Sequence, residues 1–283
     1  MDRSPELHLV GSPGVELAVW EWPGEGPPFL FAHATGFHAR CWDKIIREFP
    51  GRRCLALDAR GHGRSSRPKL PYHWSIFGHD MAAVAEHFQI HGALGVGHSS
   101  GGHTTVQAGA LRPDTYRAML LIDPTIYPPD VYGTPAPDAS FTLRRRNVWA
   151  SPHEMSERFK DRAPFSTWRP EILRDYCEYG VLPVDGHYEL ACPPAVEASI
   201  YENSKEPPAN IYDMIARIAV PVLVMRAGRV RVPGKFDLAA SPTAPELASH
   251  FAQGREIVLP DATHYIAMEH PDFVVEEIKR IAA

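Results

Sequence analysis

The sequence predicts an α/β fold: a mostly parallel sheet covered by helices on both faces, with a helical insertion between two of its strands. Three observations predict it. Short apolar runs alternate with helix-like segments through the first part of the chain, the pattern of strands buried on both faces. That alternation stops after Pro124 and resumes at Pro221-Val222-Leu223-Val224-Met225. One apolar run, Leu94-Gly95-Val96, leads into Gly97-His98-Ser99-Ser100-Gly101, a Gly-x-Ser-x-Gly turn from strand to helix.

The strands read as Leu7 to Val10, Val15 to Trp22, Phe29 to Ala32, Arg53 to Leu57, the run before Ser99, Ala118 to Ile122, the run at Val222, and Glu256 to Leu259. Gly and Pro punctuate the first of them, at Gly11-Ser12-Pro13-Gly14 and Pro23 to Pro28. Helices are expected over Trp42 to Phe49, Ser75 to His91, Ser100 to Leu111, around Ala244 to Phe251, and over Pro271 to Ile281, each with apolar residues at helical spacing. From Thr125 to Ile211 no buried strand stands out. Helices are expected there over Phe141 to Trp149, Pro152 to Arg162, Pro170 to Tyr179 and Pro194 to Asn203, several opened by proline. A structureless loop of that length is improbable, so residues 125–211 read as a helical lid. The division is a core of residues 1–124 and 212–283 with a cap of 125–211. The aromatics dense in the cap are expected to pack between lid and core.

Composition bounds the function. With 283 residues, 44% hydrophobic and 22% charged, the chain suits a soluble globular protein with one large core. A net charge of -5 speaks against a nucleic-acid partner. The run Arg144-Arg145-Arg146 is short and reads as a solvated helix face. Neither an apolar leader after Met1 nor a run long enough for a bilayer is visible. Cys41, Cys54, Cys177 and Cys192 show no C-x-x-C spacing, which suits free thiols in a reducing compartment. The expectation is a cytoplasmic protein, monomer or homodimer, with a small-molecule substrate and no membrane partner. His87 and His91 are spaced i, i+4, but no third ligand is near, so neither a metal nor another cofactor is expected.

The turn at Ser99 carries the chemistry. A serine hydroxyl is a weak nucleophile and needs a base, which in turn needs an orienting acid. Gly97 and Gly101 supply small neighbours for a strained residue. The helix opened by Ser100 aims N–H groups at the turn, where negative charge can develop. The base candidate is His264, in Leu259-Pro260-Asp261-Ala262-Thr263-His264-Tyr265, a loop between the last strand and the last helix. His98 is expected to point away from the turn, and His103 lies on the following helix.

Four stretches in this order, His33-Ala34-Thr35-Gly36-Phe37, Asp58-Ala59-Arg60-Gly61-His62-Gly63-Arg64-Ser65, Gly97 to Gly102, and His264 with its flanks, resemble the α/β-hydrolase fold. The resemblance covers nearly all of the chain outside the lid. It implies a mostly parallel eight-stranded sheet flanked by helices, with an inserted helical cap, and the chain order Ser99, acid, His264. In many members the acid follows the strand after the lid, in a Gly-x-x-Asp turn. Here that turn reads Gly228-Arg229-Val230-Arg231 and lacks the carboxylate. The other place the family uses is the end of the strand after the nucleophile helix, where this chain has Asp123. Asp237 is the competitor. Asp58 is expected to fix its own turn with Arg60, and Asp261 to cap its loop. By resemblance the oxyanion hole is the main-chain N–H of Ser100 and of Thr35. Where members usually show His-Gly, this chain has His33-Ala34, which leaves Gly36 or Phe37 as other donors.

These readings point to a serine hydrolase for an ester-type bond, a carboxylic ester or lactone, in a small to medium and largely apolar substrate. A carbon–carbon bond hydrolase uses the same Ser and His and is the nearest alternative. Amide, thioester and peracid chemistry stay open. A ligand receptor with vestigial hydrolysis is the alternative from another class.

Overall fold

A computed structural model describes residues 4–136, 138–229 and 237–283. Strands β1 (Glu6–Ser12), β2 (Val15–Trp22) and β3 (Glu25–Ala32) open the chain. A 3-10 turn leads into the single turn α1 (Asp43–Ile46), followed by β4 (Arg52–Leu57) and α2 (Ser75–His87). Then come β5 (Ala93–His98), α3 (Ser100–Leu111) and β6 (Tyr116–Ile122). The next stretch holds α4 (Ser140–Leu143), β7 (Val148–Trp149), α5 (Pro152–Phe159), α6 (Pro170–Tyr179), β8 (Val181–Val184), β9 (His187–Leu190), α7 (Pro194–Glu202) and α8 (Tyr212–Ile215). The chain closes with β10 (Val222–Ala227), β11 (Gly254–Leu259), α9 (Ile266–Glu269) and α10 (Pro271–Ala282).

Eight strands form one sheet in the order β1-β2-β4-β3-β5-β6-β10-β11. Only β2 runs antiparallel to its neighbours; the pairs from β4 to β11 are parallel. The period-2 alternation of a strand divides the core between the two faces. Along β4, Cys54 and Ala56 join the cluster around Trp42, Phe31 and Ile278, while Leu55 and Leu57 join that around Leu17, Met81 and Val106. Burying each large apolar side chain contributes about 2 kcal/mol. Because the parallel strands share a direction, the residues just past their carboxyl ends collect along one edge. His33, Asp58, Ser99, Asp123 and the Gly228 turn all lie there.

Between β6 and β10 the described chain adds no strand to this sheet. It is not purely helical, however. β7, β9 and β8 make a small antiparallel sheet, which the sequence reading missed because strands of two to four residues are too short to show alternation. The local signal was Asp185-Gly186: both residues have positive φ, 42° and 85°, as a two-residue hairpin requires. Trp149 was expected on a helix; it pairs with Tyr188 in this sheet instead. The helices expected at Trp42–Phe49 and Ala244–Phe251 shrink to a 3-10 turn plus α1 and to a 3-10 turn at Leu247–His250. Both segments lie in short connections where tertiary contacts override weak periodicity. His91 lies beyond the end of α2, past Gln89 at φ 50°, and bonds Asp114 at 2.7 Å. All four cysteines are buried.

The turn between β5 and α3 shows why its glycines are required. A Cβ on Gly97 would stand 2.5 Å from the Gly101 carbonyl oxygen, and one on Gly101 would stand 2.2 Å from that of Ala32. Both obstacles are backbone, so neither can swing aside. Gly101→Ala is therefore expected to destabilise the protein by at least about 2 kcal/mol in urea unfolding. Gly11→Ala, where the added methyl meets nothing within 4 Å, is the control and should be near neutral. Equal stability of the two variants would show that α3 can slide away from β3.

Candidate active site

Ser99 sits at the tip of the β5–α3 turn with φ 57° and ψ -121°, a region that costs a non-glycine residue about 1–3 kcal/mol. Hydrogen bonds hold it there: its N–H donates to the Ile122 carbonyl at 3.0 Å, and its own carbonyl accepts from Thr125 at 3.0 Å and Gly102 at 3.0 Å. The strain turns the hydroxyl outward from the sheet edge. Ser99 Oγ lies 2.9 Å from His264 Nε2, and His264 Nδ1 donates to Asp123 Oδ2 at 2.6 Å. Thr125 Oγ1 stands 3.0 Å from the same serine oxygen. All four residues are buried. The chain of bonds fixes the imidazole tautomer, with the proton on Nδ1 and the lone pair of Nε2 facing the serine. Such an arrangement can accept a proton from the hydroxyl as it attacks and return it later.

Asp123 also has positive φ, 42°, which turns its carboxylate off the end of β6 towards the His264 loop. Its second oxygen accepts from Ala227 N–H at 2.9 Å, Ser241 Oγ at 2.6 Å and Thr243 Oγ1 at 3.2 Å. Asp237 is placed elsewhere, in an ion pair with Arg229 at 2.8 Å. Val230 and Arg231 of the turn that lacked a carboxylate lie outside the described residues. Asp58 does not pair with Arg60. It accepts from Ala39 N–H at 2.7 Å and Arg64 N–H at 3.0 Å, whereas Arg60 forms a two-pronged pair with Asp80 at 2.6 Å. The reason is reach: the Asp58 carboxylate folds back over its own turn, leaving the guanidinium to the helix α2. Asp261 is exposed.

Thr35 and Ser100 come together, with Thr35 Oγ1 donating to Ser100 Oγ at 3.0 Å. The two other donors considered for an oxyanion hole are already engaged. Gly36 N–H donates to His62 Nε2 at 3.1 Å, and Phe37 N–H to the Ala34 carbonyl at 3.1 Å. Ser100 opens α3, where the first N–H groups have no acceptor within the helix. The loop is braced by two imidazoles. His33 bridges the Ala34 carbonyl at 2.8 Å and Ala59 N–H at 3.0 Å; His62 bridges the Arg60 carbonyl at 3.0 Å and Gly36 N–H. Each uses one nitrogen as donor and the other as acceptor, so each must be neutral. Burial lowers both to a pKa of about 3. His98 does not simply point away: its Nε2 donates to the His264 carbonyl at 2.9 Å, and burial lowers it to about 3. His103 bonds the Ala209 carbonyl at 2.9 Å, and burial lowers it to about 4.

The hydroxyl opens into a small cavity of about 40 Å³, lined by Thr35, Trp74, Tyr127, Tyr201 and Leu238 among others. Residues 29–277 match the model of the alpha/beta hydrolase family.

The chain belongs to the alpha/beta hydrolase family.

This alpha/beta hydrolase is 27% identical over 265 residues to the 2-(acetamidomethylene)succinate hydrolase of Mesorhizobium japonicum, covering 90% of this chain and 87% of that one. It is 30% identical over 122 residues to an esterase of Mycobacterium tuberculosis, 43% of this chain and 40% of that one. In structure it resembles crystalline E-2-(acetamidomethylene)succinate hydrolase with a TM-score of 0.79 at 22% identity, over 99% of this chain and 100% of that one. No helix among the described residues is long and apolar enough to cross a membrane.

Sequence reasoning about this alpha/beta hydrolase missed Thr125, Ser241, Thr243 and the role of His98. Each acts through a contact distant in sequence or across a turn, and none forms a motif. The buried imidazoles have a consequence for stability. An unfolded histidine takes up a proton near pH 6.5, whereas these four resist it in the folded state. Unfolding therefore binds protons below that pH, and stability falls by about 1.4 kcal/mol per histidine per pH unit. Differential scanning calorimetry should show a Tm nearly independent of these groups above pH 7 and a steep fall towards pH 5. An unchanged Tm at pH 5 would contradict their neutral state.

Proposed function

We propose that the protein is a serine hydrolase that cleaves an ester-type bond, a carboxylic ester or lactone, in a small to medium substrate with a largely apolar body. The observation that carries this reading is the unbroken hydrogen-bonded series Asp123, His264, Ser99, ending in a hydroxyl that faces a cavity. In this reading Ser99 Oγ attacks the carbonyl carbon while His264 Nε2 takes its proton. Asp123 keeps the imidazole oriented and stabilises its positive charge. The main-chain N–H groups of Thr35 and Ser100 receive the developing oxyanion, a contribution of about 3 kcal/mol each. The carbon–oxygen bond then breaks, and the leaving alcohol carries off the proton held by His264. Water attacks the acyl-enzyme, with His264 taking its proton and returning it to Ser99 as the acid departs.

Residues 125–211 act as a cap over this site. Aromatic contacts support that role. Phe159 stacks on Phe165 with ring centres 4.3 Å apart, Phe165 meets Trp168 at 4.8 Å, and Trp168 meets both Phe37 at 5.5 Å and Tyr265 at 5.3 Å. The series runs from the cap to the neighbours of Thr35 and His264. A second reading is cleavage of an acyl–nitrogen bond. It is favoured by the relative covering 90% of the chain, whose name describes a substrate bearing an acetamido group.

Ser99→Ala is expected to lower kcat on p-nitrophenyl butyrate by at least about 10³-fold with the fold intact by circular dichroism. Asp123→Asn should cost about 10⁴-fold, because an amide cannot hold the required tautomer. Asp237→Asn should leave the rate within about threefold, since its carboxylate serves Arg229. The reverse order of the two aspartate variants would remove Asp123 from the mechanism. A panel of esters, lactones, anilides and vinylogous diketones ranks the bond types; turnover of anilides alone would replace the ester reading with the acyl–nitrogen one.

A further inference from the structure

In the run Arg144-Arg145-Arg146, Arg144 and Arg146 are exposed, as the sequence suggests, while Arg145 is half-buried. Together with Arg158 the run lines an outer chamber of about 390 Å³, of which Glu197 is the one carboxylate among the described lining residues. The outer chamber shares Thr35, Phe37, Tyr201 and Tyr265 with the inner one at Ser99, so the two adjoin. The four guanidiniums are not equivalent. Arg145 forms a close pair with Glu197 and also bonds Tyr176 Oη at 3.4 Å. Burial opposes its charge, but Glu197 and Tyr176 outweigh that and keep it protonated. Arg146 pairs with Glu154 at 2.6 Å and lies over the Trp149 ring at 4.2 Å. Arg144 makes a long bond to Ser140 Oγ, 3.3 Å, and its charge is also felt by the exposed Asp138 carboxylate. Neither Arg144 nor Arg158 has a salt bridge among the described residues.

We infer that the outer chamber binds an anionic group at the end of the substrate remote from the scissile carbonyl, with Arg144 and Arg158 as its cationic partners. Charge supports the orientation. The chain as a whole carries -5, so an anion is repelled by most of the surface and drawn to this basic mouth, where low-dielectric walls focus the field. Deeper in, the buried imidazoles of His33, His62 and His98 are neutral, and the Asp123 carboxylate is already matched by donors. The N–H groups of Thr35 and Ser100 there are the ones the hydrolase reading gives to the oxyanion that develops during attack, and the nearby Asp123 carboxylate disfavours a permanent anion beside them. An amphiphile with one charged end therefore enters with its neutral acyl carbonyl towards Ser99 and its anion held outside. Guanidiniums bind both carboxylate and phosphate oxygens with paired N–H donors, so the shared chemistry is an oxyanion on an apolar stem. This rests on the hydrolase reading for the position of the carbonyl, but its binding test does not depend on turnover.

The probes are 5-phenylpentanoate, its neutral counterpart 5-phenylpentanamide, and 4-phenylbutyl phosphate. They are titrated into the Ser99→Ala protein while following tryptophan fluorescence, since Trp149 and Trp168 line the chamber. At least one of the two anions should bind about tenfold or more tightly than the amide, and the stronger of them names the group. Raising salt from about 50 mM to about 500 mM should cut that preference severalfold, because exposed charges are screened. The Arg144→Gln/Arg158→Gln double variant should reduce the ratio to near one. Equal binding of anions and amide, or a preference that survives the double variant, overturns the inference. If Ser99→Ala does not fold, the same ratio is read as kcat/KM of the wild-type protein for the p-nitrophenyl hemiester of glutarate against p-nitrophenyl valerate. A preference for anions without Ser99-dependent turnover would sink the hydrolase reading and leave the anion site. Ser99-dependent turnover without the preference would do the opposite.

Discussion

The Asp123 carboxylate lies fully buried at the end of β6, and its two oxygens join four segments of the chain. One oxygen takes the His264 ring; the other takes the end of β10 through Ala227 and the following loop through Ser241 and Thr243. A bare carboxylate at this depth would be costly, and four donors offset the loss of water. The same donors remove its freedom to rotate, so the line from Asp123 through His264 to Ser99 is set by the sheet edge. The positive φ at Asp123 and at Ser99 belongs to this arrangement: two strained residues on adjacent strands are held by the bonds that their side chains and peptides make.

A second brace acts from the other side. His33 and His62 tie the Thr35 loop to the turn after β4, while His98 ties the end of β5 to the His264 carbonyl. Three imidazoles thus serve as fixed struts, each donating from one nitrogen, with two of them accepting at the other. Their low basicity follows from the same burial that makes the struts rigid. Helix α7 adds a third contact: a Cβ on Gly36 would stand 3.0 Å from Glu197 Oε1. The Arg145–Glu197 pair therefore lies against the loop that carries Thr35.

The positions of Ser99, Asp123 and His264 were legible in the sequence because each follows a buried apolar run, and the parallel sheet gathers such ends at one edge. The eight strands were legible for the same reason: long apolar or alternating runs bounded by Gly and Pro. What was not legible depended on contacts without a period. The Arg60–Asp80 pair replaced a guess based on sequence nearness. The small sheet hid in strands too short to alternate. His98 looked idle because its partner is a backbone carbonyl 166 positions away. The triple arginine is largely exposed, as its sequence suggests, but three consecutive charges have no period that would show them lining a chamber.

Since a methyl group on Gly101 would strike the Ala32 carbonyl, tolerance for change at residue 101 is decided by β3 and not by the turn that contains it. Admitting alanine would need that strand to move outward by roughly a methyl radius, since ordinary contact begins near about 3.5 Å between carbon centres, and β3 is paired directly to β5, which leads into Ser99. The glycine is thus a gauge of the gap between a helix and a strand.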